Sequence, residues 1–301
     1  MSLKKSVYLL LAAVMVFAFA LAGCSKGENE GKNTGSPAKN KEITLAYVAW
    51  DSEIASTNVV REVLESKLGY KVKMMQVDAG PMYVGIADGS ADAMVAAWLP
   101  STHGDNYYEP NKNKFEDLGV NLDGTKVGLT VPANMDISSI EDLNNAEIGK
   151  SLNFTITGIE PGAGIMMATS KAIEEYGLKD WKLLESSSAA MTKVLQDAYA
   201  KQEPVIVTGW TPHWMFAEMD LKYLEDPKGV FGGDEQIHTL VRLGLKDDHP
   251  DAYKFLDQFE WTPADMESVM VDIYGGMSEE EASKKWVENN ADKVNQWIDG
   301  I

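Results

Sequence analysis

ITLAYVAWDSEIASTNVVREVLESKLGYKVKMMQV, residues 43–77, fits a strand, a helix and a second strand into one short stretch. ITLAYV (43–48) is β-rich. Ile54 to Leu68 carries Val59, Val60, Val63 and Leu64 at helical spacing, and Gly69 suits a left-handed helix stop. KVKMMQV (71–77) reads as a strand, Pro81 fits the first turn of a helix closing near Gly89, and AMVAAW (93–98) reads as a third strand. The order is β-α-β-α-β.

The same order returns downstream. FTITGI (154–159), WKLLES (181–186) and PVIVTGW (204–210) read as strands. Ile165 to Tyr176 reads as a helix stopped by Gly177, and Ser188 as the cap of a helix over about 189–201. Trp50 lies 48 residues before Trp98, and Gly164 lies 46 before Trp210. Matching spacing argues for two α/β lobes of similar plan, each with parallel strands and right-handed crossovers. KVGLTVP (126–132) reads as a strand leaving the first lobe and HTLVRLGL (238–245) as the return. The tail reads as helices over 250–259, 263–273 (Thr262 as N-cap, Pro263 at N1) and 278–297 in two pieces. The expected division is 43–131 plus 238–301 as lobe 1 and 132–237 as lobe 2, joined by two crossovers.

Lys4, Lys5 and the apolar run Val7 to Ala20 have the form of a secretory signal, and Leu21-Ala22-Gly23-Cys24 resembles a bacterial lipobox. The expectation is a signal peptide over 1–23 and an acylated Cys24. Cys24 is the only cysteine, so the exported body holds no disulfide and relies on core burial. Ser25 to Lys41 contains no large apolar residue and reads as a flexible tether, placed at 24–42 with the cysteine. A formal net charge of −19 argues against nucleic acid or an anionic membrane surface as direct partners.

Strand ends decide where a ligand goes, because open α/β sheets bind beyond the carboxyl ends of their strands. Trp50, Trp98, Trp210 and the turn Gly162 to Gly164 all fall at such ends. Trp181, Trp286 and Trp297 lie inside elements and read as core. Trp214 reads as packing, and Trp261 as a staple against the helix that follows. The four histidines show no metal-ligand spacing, no G-x-S-x-G elbow occurs, and the glycine turn lacks the third glycine of a dinucleotide fingerprint. No metal, no cofactor and no catalytic residue is expected. The turn does place main-chain N–H groups at a helix start, a ready anion site. Indole faces attract cations, and a quaternary ammonium suits them because it has no N–H to satisfy. The deduced ligand is a small zwitterion with a methylated cation and a carboxylate.

LAYVAWDSEIASTNV, AGPMYVGIADGSADAMVAAWLPSTH, GIEPGAGIM, ESSSAAMT, VTGWTPHWMF and FEWTPADM together resemble the lipid-anchored glycine betaine-binding proteins of osmoprotectant ABC importers, over about residues 43–301. The resemblance implies an α/β, two-lobed type II periplasmic-binding-protein fold with a two-crossover hinge. It implies a tryptophan prism of Trp50, Trp98 and Trp210 around the trimethylammonium group. It also implies a carboxylate held by the amides of Gly164 and Ile165, with His103 of LPSTH assisting. The implied partners are glycine betaine, with proline betaine as a further ligand, the permease and ATPase of the importer, and a membrane reached through the lipid anchor. The protein is expected to be a monomer outside the cytoplasm. A choline- or carnitine-binding protein of the same fold is the alternative. A surface-anchored choline-ester hydrolase is a remote one, for want of a nucleophile and base.

Overall fold

The computed structural model describes residues 41–301. The expected signal peptide, Cys24 and all but the last two residues of the tether lie outside the described residues. β1 (Glu42–Tyr47) pairs in parallel with β2 (Lys71–Gln76) and with β3 (Ala93–Leu99). The crossovers are α1 (Asp51–Ser66) and α2 (Ala79–Asp88), the latter ending on Gly89 at φ 79°. Every residue of β3 is buried, as an unbroken apolar run requires of a strand covered on both faces.

β4 (Phe115–Pro132) carries the chain from one part of the sheet to the other. Through Thr125 it pairs antiparallel with β9 (Glu235–Arg242), which in turn pairs with β3. From Lys126 onward it pairs with β7 (Val207–Thr211) and β8 (Leu221–Tyr223). Sequence pattern marked only 126–132 as strand. Residues 115–125 pair through three register shifts and bend at Gly119 (φ 97°) and Gly124 (φ 80°), so no clean alternation survives there.

Beyond β4, the short helix α3 (Ala146–Ser151) leads to β5 (Thr155–Thr157), which pairs in parallel with β6 (Lys182–Leu184) and β7. The crossovers are α4 (Gly164–Glu175) and α5 (Ser188–Lys201). The cap of α5 is Ser187 rather than Ser188: Ser187 Oγ accepts from the Ala190 N–H at 3.1 Å, and Ser188 is the first helical residue. Nine described strands thus form one sheet, eight along the path β2-β1-β3-β9-β4-β7-β5-β6 and β8 off it on β4.

α6 (Trp214–Glu218) follows β7, and the chain after β9 is helical: α7 (Leu245–Asp248), α8 (Pro250–Gln258), α9 (Pro263–Tyr274), α10 (Glu279–Asn289) and α11 (Ala291–Trp297). Capping boxes open α9 (Thr262 with Asp265) and α10 (Ser278 with Glu281). α9 and α10 lie on α1. Trp261 joins an aromatic cluster with Phe259, Trp286 and Trp297, the last two stacked 5.5 Å apart.

Candidate functional site

A small cavity opens where the two parts of the sheet face each other. Trp50, Trp98 and Thr102 line it from one side, and Val127, Ile159, Ala163, Gly164, Ile165 and Trp210 from the other. Each tryptophan reaches the cavity from a strand exit. Trp50 is the N-cap of α1 just after β1, Trp98 is the penultimate residue of β3, and Trp210 the penultimate residue of β7. Both Trp-x-Pro segments carry a cis peptide, at Leu99–Pro100 and Thr211–Pro212.

All three indole N–H groups are already engaged by the protein. Trp50 Nε1 donates to Glu160 Oε2 (3.1 Å), Trp98 Nε1 to Glu53 Oε1 (2.7 Å) and Trp210 Nε1 to Ser52 Oγ (3.0 Å). Ser52 Oγ donates in turn to Glu53 Oε2. The indoles can therefore offer an occupant only carbon and ring electrons, with their orientation fixed from behind.

The polar element is the N-terminus of α4. Its N-cap, Ala163, has no side chain able to cap, and its carbonyl oxygen accepts from the Met166 and Met167 N–H groups. Among the described residues the N–H groups of Gly164 and Ile165 meet no protein acceptor, and both residues line the cavity. A Cβ on Gly164 would lie 2.2 Å from the Thr102 carbonyl oxygen, so only glycine lets α4 approach the 101–103 loop this closely. That loop is pinned by Glu235, whose carboxylate accepts from the Ser101 and Thr102 N–H groups at 2.7 and 2.5 Å and from the Thr102 hydroxyl.

His103 lies outside the cavity lining, with its ring 5.8 Å from Trp50 and edge-on to Tyr83 and Tyr107. Its Nδ1 accepts from the Trp98 N–H at 3.2 Å, which leaves the ring proton on Nε2. Burial depresses its pKa to about 3, so the ring is neutral, and Nε2 finds no partner among the described residues.

Two carboxylates beneath the tryptophans have opposite environments. Burial pushes Glu53 up to about 7, against the hydrogen bonds from Ser52 and Trp98. Burial would also raise Asp51, but donors from His213, Trp214 and Ser188 outweigh it and hold that carboxyl at about 2. Sequence reasoning singled out the tryptophans, Gly164, Ile165 and His103, but missed Asp51, Ser52, Glu53, Glu160 and Glu235. The one trace was the clustering of Asp51-Ser52-Glu53 directly after a strand-end tryptophan.

A family model described as the substrate-binding domain of ABC-type glycine betaine transport systems matches residues 41–289. The chain belongs to that family. Among curated proteins it is 55% identical over 157 residues to the glycine betaine/carnitine transport binding protein GbuC of Listeria monocytogenes. That alignment covers 52% of this chain and 52% of GbuC, so the match spans about half the length of this relative. Among solved structures, lactococcal OpuAC in its closed-liganded conformation complexed with glycine betaine matches at 48% identity and a TM-score of 0.80. The match covers 86% of this chain and 99% of that one. The glycine/betaine/L-proline-binding protein ProX of Borrelia burgdorferi matches at 36% identity and 0.82, over 86% of this chain and 97% of that one. The fold is the two-lobed type II periplasmic-binding-protein fold of these relatives, and the family is by description one of transport substrate-binding domains.

Proposed function

We propose that the protein captures glycine betaine outside the cytoplasm and delivers it, chemically unchanged, to the permease of an ABC importer. One observation carries this: three indoles with no free N–H share a small cavity with two helix-start amides that have no acceptor. A trimethylammonium group needs no hydrogen bond and is drawn to indole faces, each contact contributing about 0.5–2 kcal/mol. A carboxylate on the same molecule supplies the acceptor that Gly164 and Ile165 lack, at the positive end of α4. The assisting role expected of His103 is carried through Trp50, whose ring lies 5.8 Å from its own, since His103 itself does not line the cavity.

The expected lobes, 43–131 with 238–301 and 132–237, are proposed with their borders moved to 125/126 and 234/235, where β4 changes partner and where the chain returns into β9. Trp50 and Trp98 then sit on one lobe, and Trp210, Gly164 and Ile165 on the other. Ligand bridges them and shifts the population toward closure. A lipid anchor at Cys24 and a monomeric body complete the reading. Carnitine is a second candidate ligand, since the Listeria relative is named for both.

Calorimetric titration with glycine betaine, carnitine and choline tests the assignment. Glycine betaine is expected to bind most tightly, and choline, which has no carboxylate, weakly or not at all. Choline binding at least as tightly as glycine betaine would overturn the assigned role of the α4 amides.

A further inference from the structure

The second tryptophan of VTGWTPHW is absent from the cavity lining, yet it is tied firmly across the cleft. Trp214 opens α6, directly after β7. Its ring stacks on Tyr274 of α9, with centroids 4.1 Å apart and planes within 8° of parallel. Its Nε1 donates to Asp51 Oδ1 at 2.9 Å. The other carboxylate oxygen of Asp51 accepts from Ser188 Oγ at 2.8 Å and lies 3.5 Å from His213 Nε2. Asp51 opens α1, and α1 packs on β1, β3 and α9, whereas Ser188 and Trp214 belong to helices flanking β7. One carboxylate and one tyrosine ring thus form a slot on the first lobe, and an indole from the second lobe fills it.

We propose that Trp214 and Asp51 form a latch outside the ligand site, positioning residues that hold the lobes together and set how long ligand stays bound without recognising it. The inference rests on the binding-protein function proposed above. Opening the cleft would pull Trp214 off Tyr274 and part it from Asp51, so the contact contributes to the closed form alone. Hydrogen bonds to a charged acceptor are the stronger kind, and this one joins a buried indole to a half-buried carboxylate. Apparent affinity scales with the population of the binding-competent state. Weakening the latch therefore multiplies Kd by one factor, whatever the ligand.

Trp214→Phe keeps a ring for Tyr274 and removes the N–H, while Asp51→Asn keeps the shape and removes the charge. Calorimetry and stopped-flow fluorescence with glycine betaine and with N,N-dimethylglycine, plus melting curves with and without ligand, separate a latch from a structural prop. Each variant is expected to raise Kd about tenfold through faster dissociation, by the same factor for both ligands. The double variant should be no worse than the weaker single, because both remove one interaction. Ligand-free melting should not change. Unchanged Kd in both variants, a factor that differs between ligands, or a fall in ligand-free melting with no change in dissociation would overturn the latch. Failure of the wild-type protein to bind glycine betaine would instead overturn the functional reading on which it rests.

Discussion

An indole whose N–H is held by a carboxylate or hydroxyl presents only its π-system to the cavity, and Trp50, Trp98 and Trp210 are all in that condition. Trp98→Ala or Trp210→Ala is expected to raise the Kd for glycine betaine about tenfold or more, read by fluorescence titration. Unchanged affinity in either variant would break the prism. Glu53 provides a pH handle. Its carboxyl titrates near 7 when folded, against 4.5 as the ordinary value, because burial disfavours the charge. Between those values the folded state holds a proton that the unfolded chain has lost, so stability from this group falls as pH rises from about 4.5 to 7. Glu53→Gln should therefore flatten the melting profile between pH 5 and 8; a profile as steep as the wild type's would contradict the assignment. The tryptophans were legible because each ends an apolar strand. Asp51 and Glu53 were not, since acids in the first turn are ordinary complements to a helix dipole. Only the facing lobe brings Trp214, Ser188 and Trp210 onto Asp51 and Ser52.

At the scale of elements, the approach of α4 to the 101–103 loop fixes where the two orphan amides point. Gly164→Ala puts a Cβ against the Thr102 carbonyl, a main-chain atom that cannot turn aside. The helix start must retreat, and glycine betaine affinity should drop more than about tenfold while far-UV circular dichroism stays the same. Full affinity in this variant would mean that the amides do not bind the ligand. The repeated β-α-β-α-β order was plain in the spacing of strands, helices and glycine stops. The first part of β4 was hidden because its bulges destroy the period of two, and the cap of α5 was misplaced by one because Ser186, Ser187 and Ser188 look alike in sequence. Ser188 gives its hydroxyl to Asp51 instead, a partner more than a hundred residues away.

At the scale of the whole molecule, β4 passes unbroken from one sheet partner to the next, and the return crossing enters β9 at Glu235, which also grips the 101–103 loop. With the crossing so close to the ligand loop, the proposed closure is expected to follow occupancy. Small-angle scattering should show a smaller radius of gyration with saturating glycine betaine than without it; identical profiles would argue against closure on ligand. The central claim, that indole faces select a permanent positive charge, is tested most directly by calorimetry with 3,3-dimethylbutanoate, the neutral-headed carbon isostere of glycine betaine. Its shape and carboxylate are the same and only the cation is gone. Binding weaker than that of glycine betaine by about a hundredfold or more is expected, and equal affinity of the two would mean that the indoles do not read the charge.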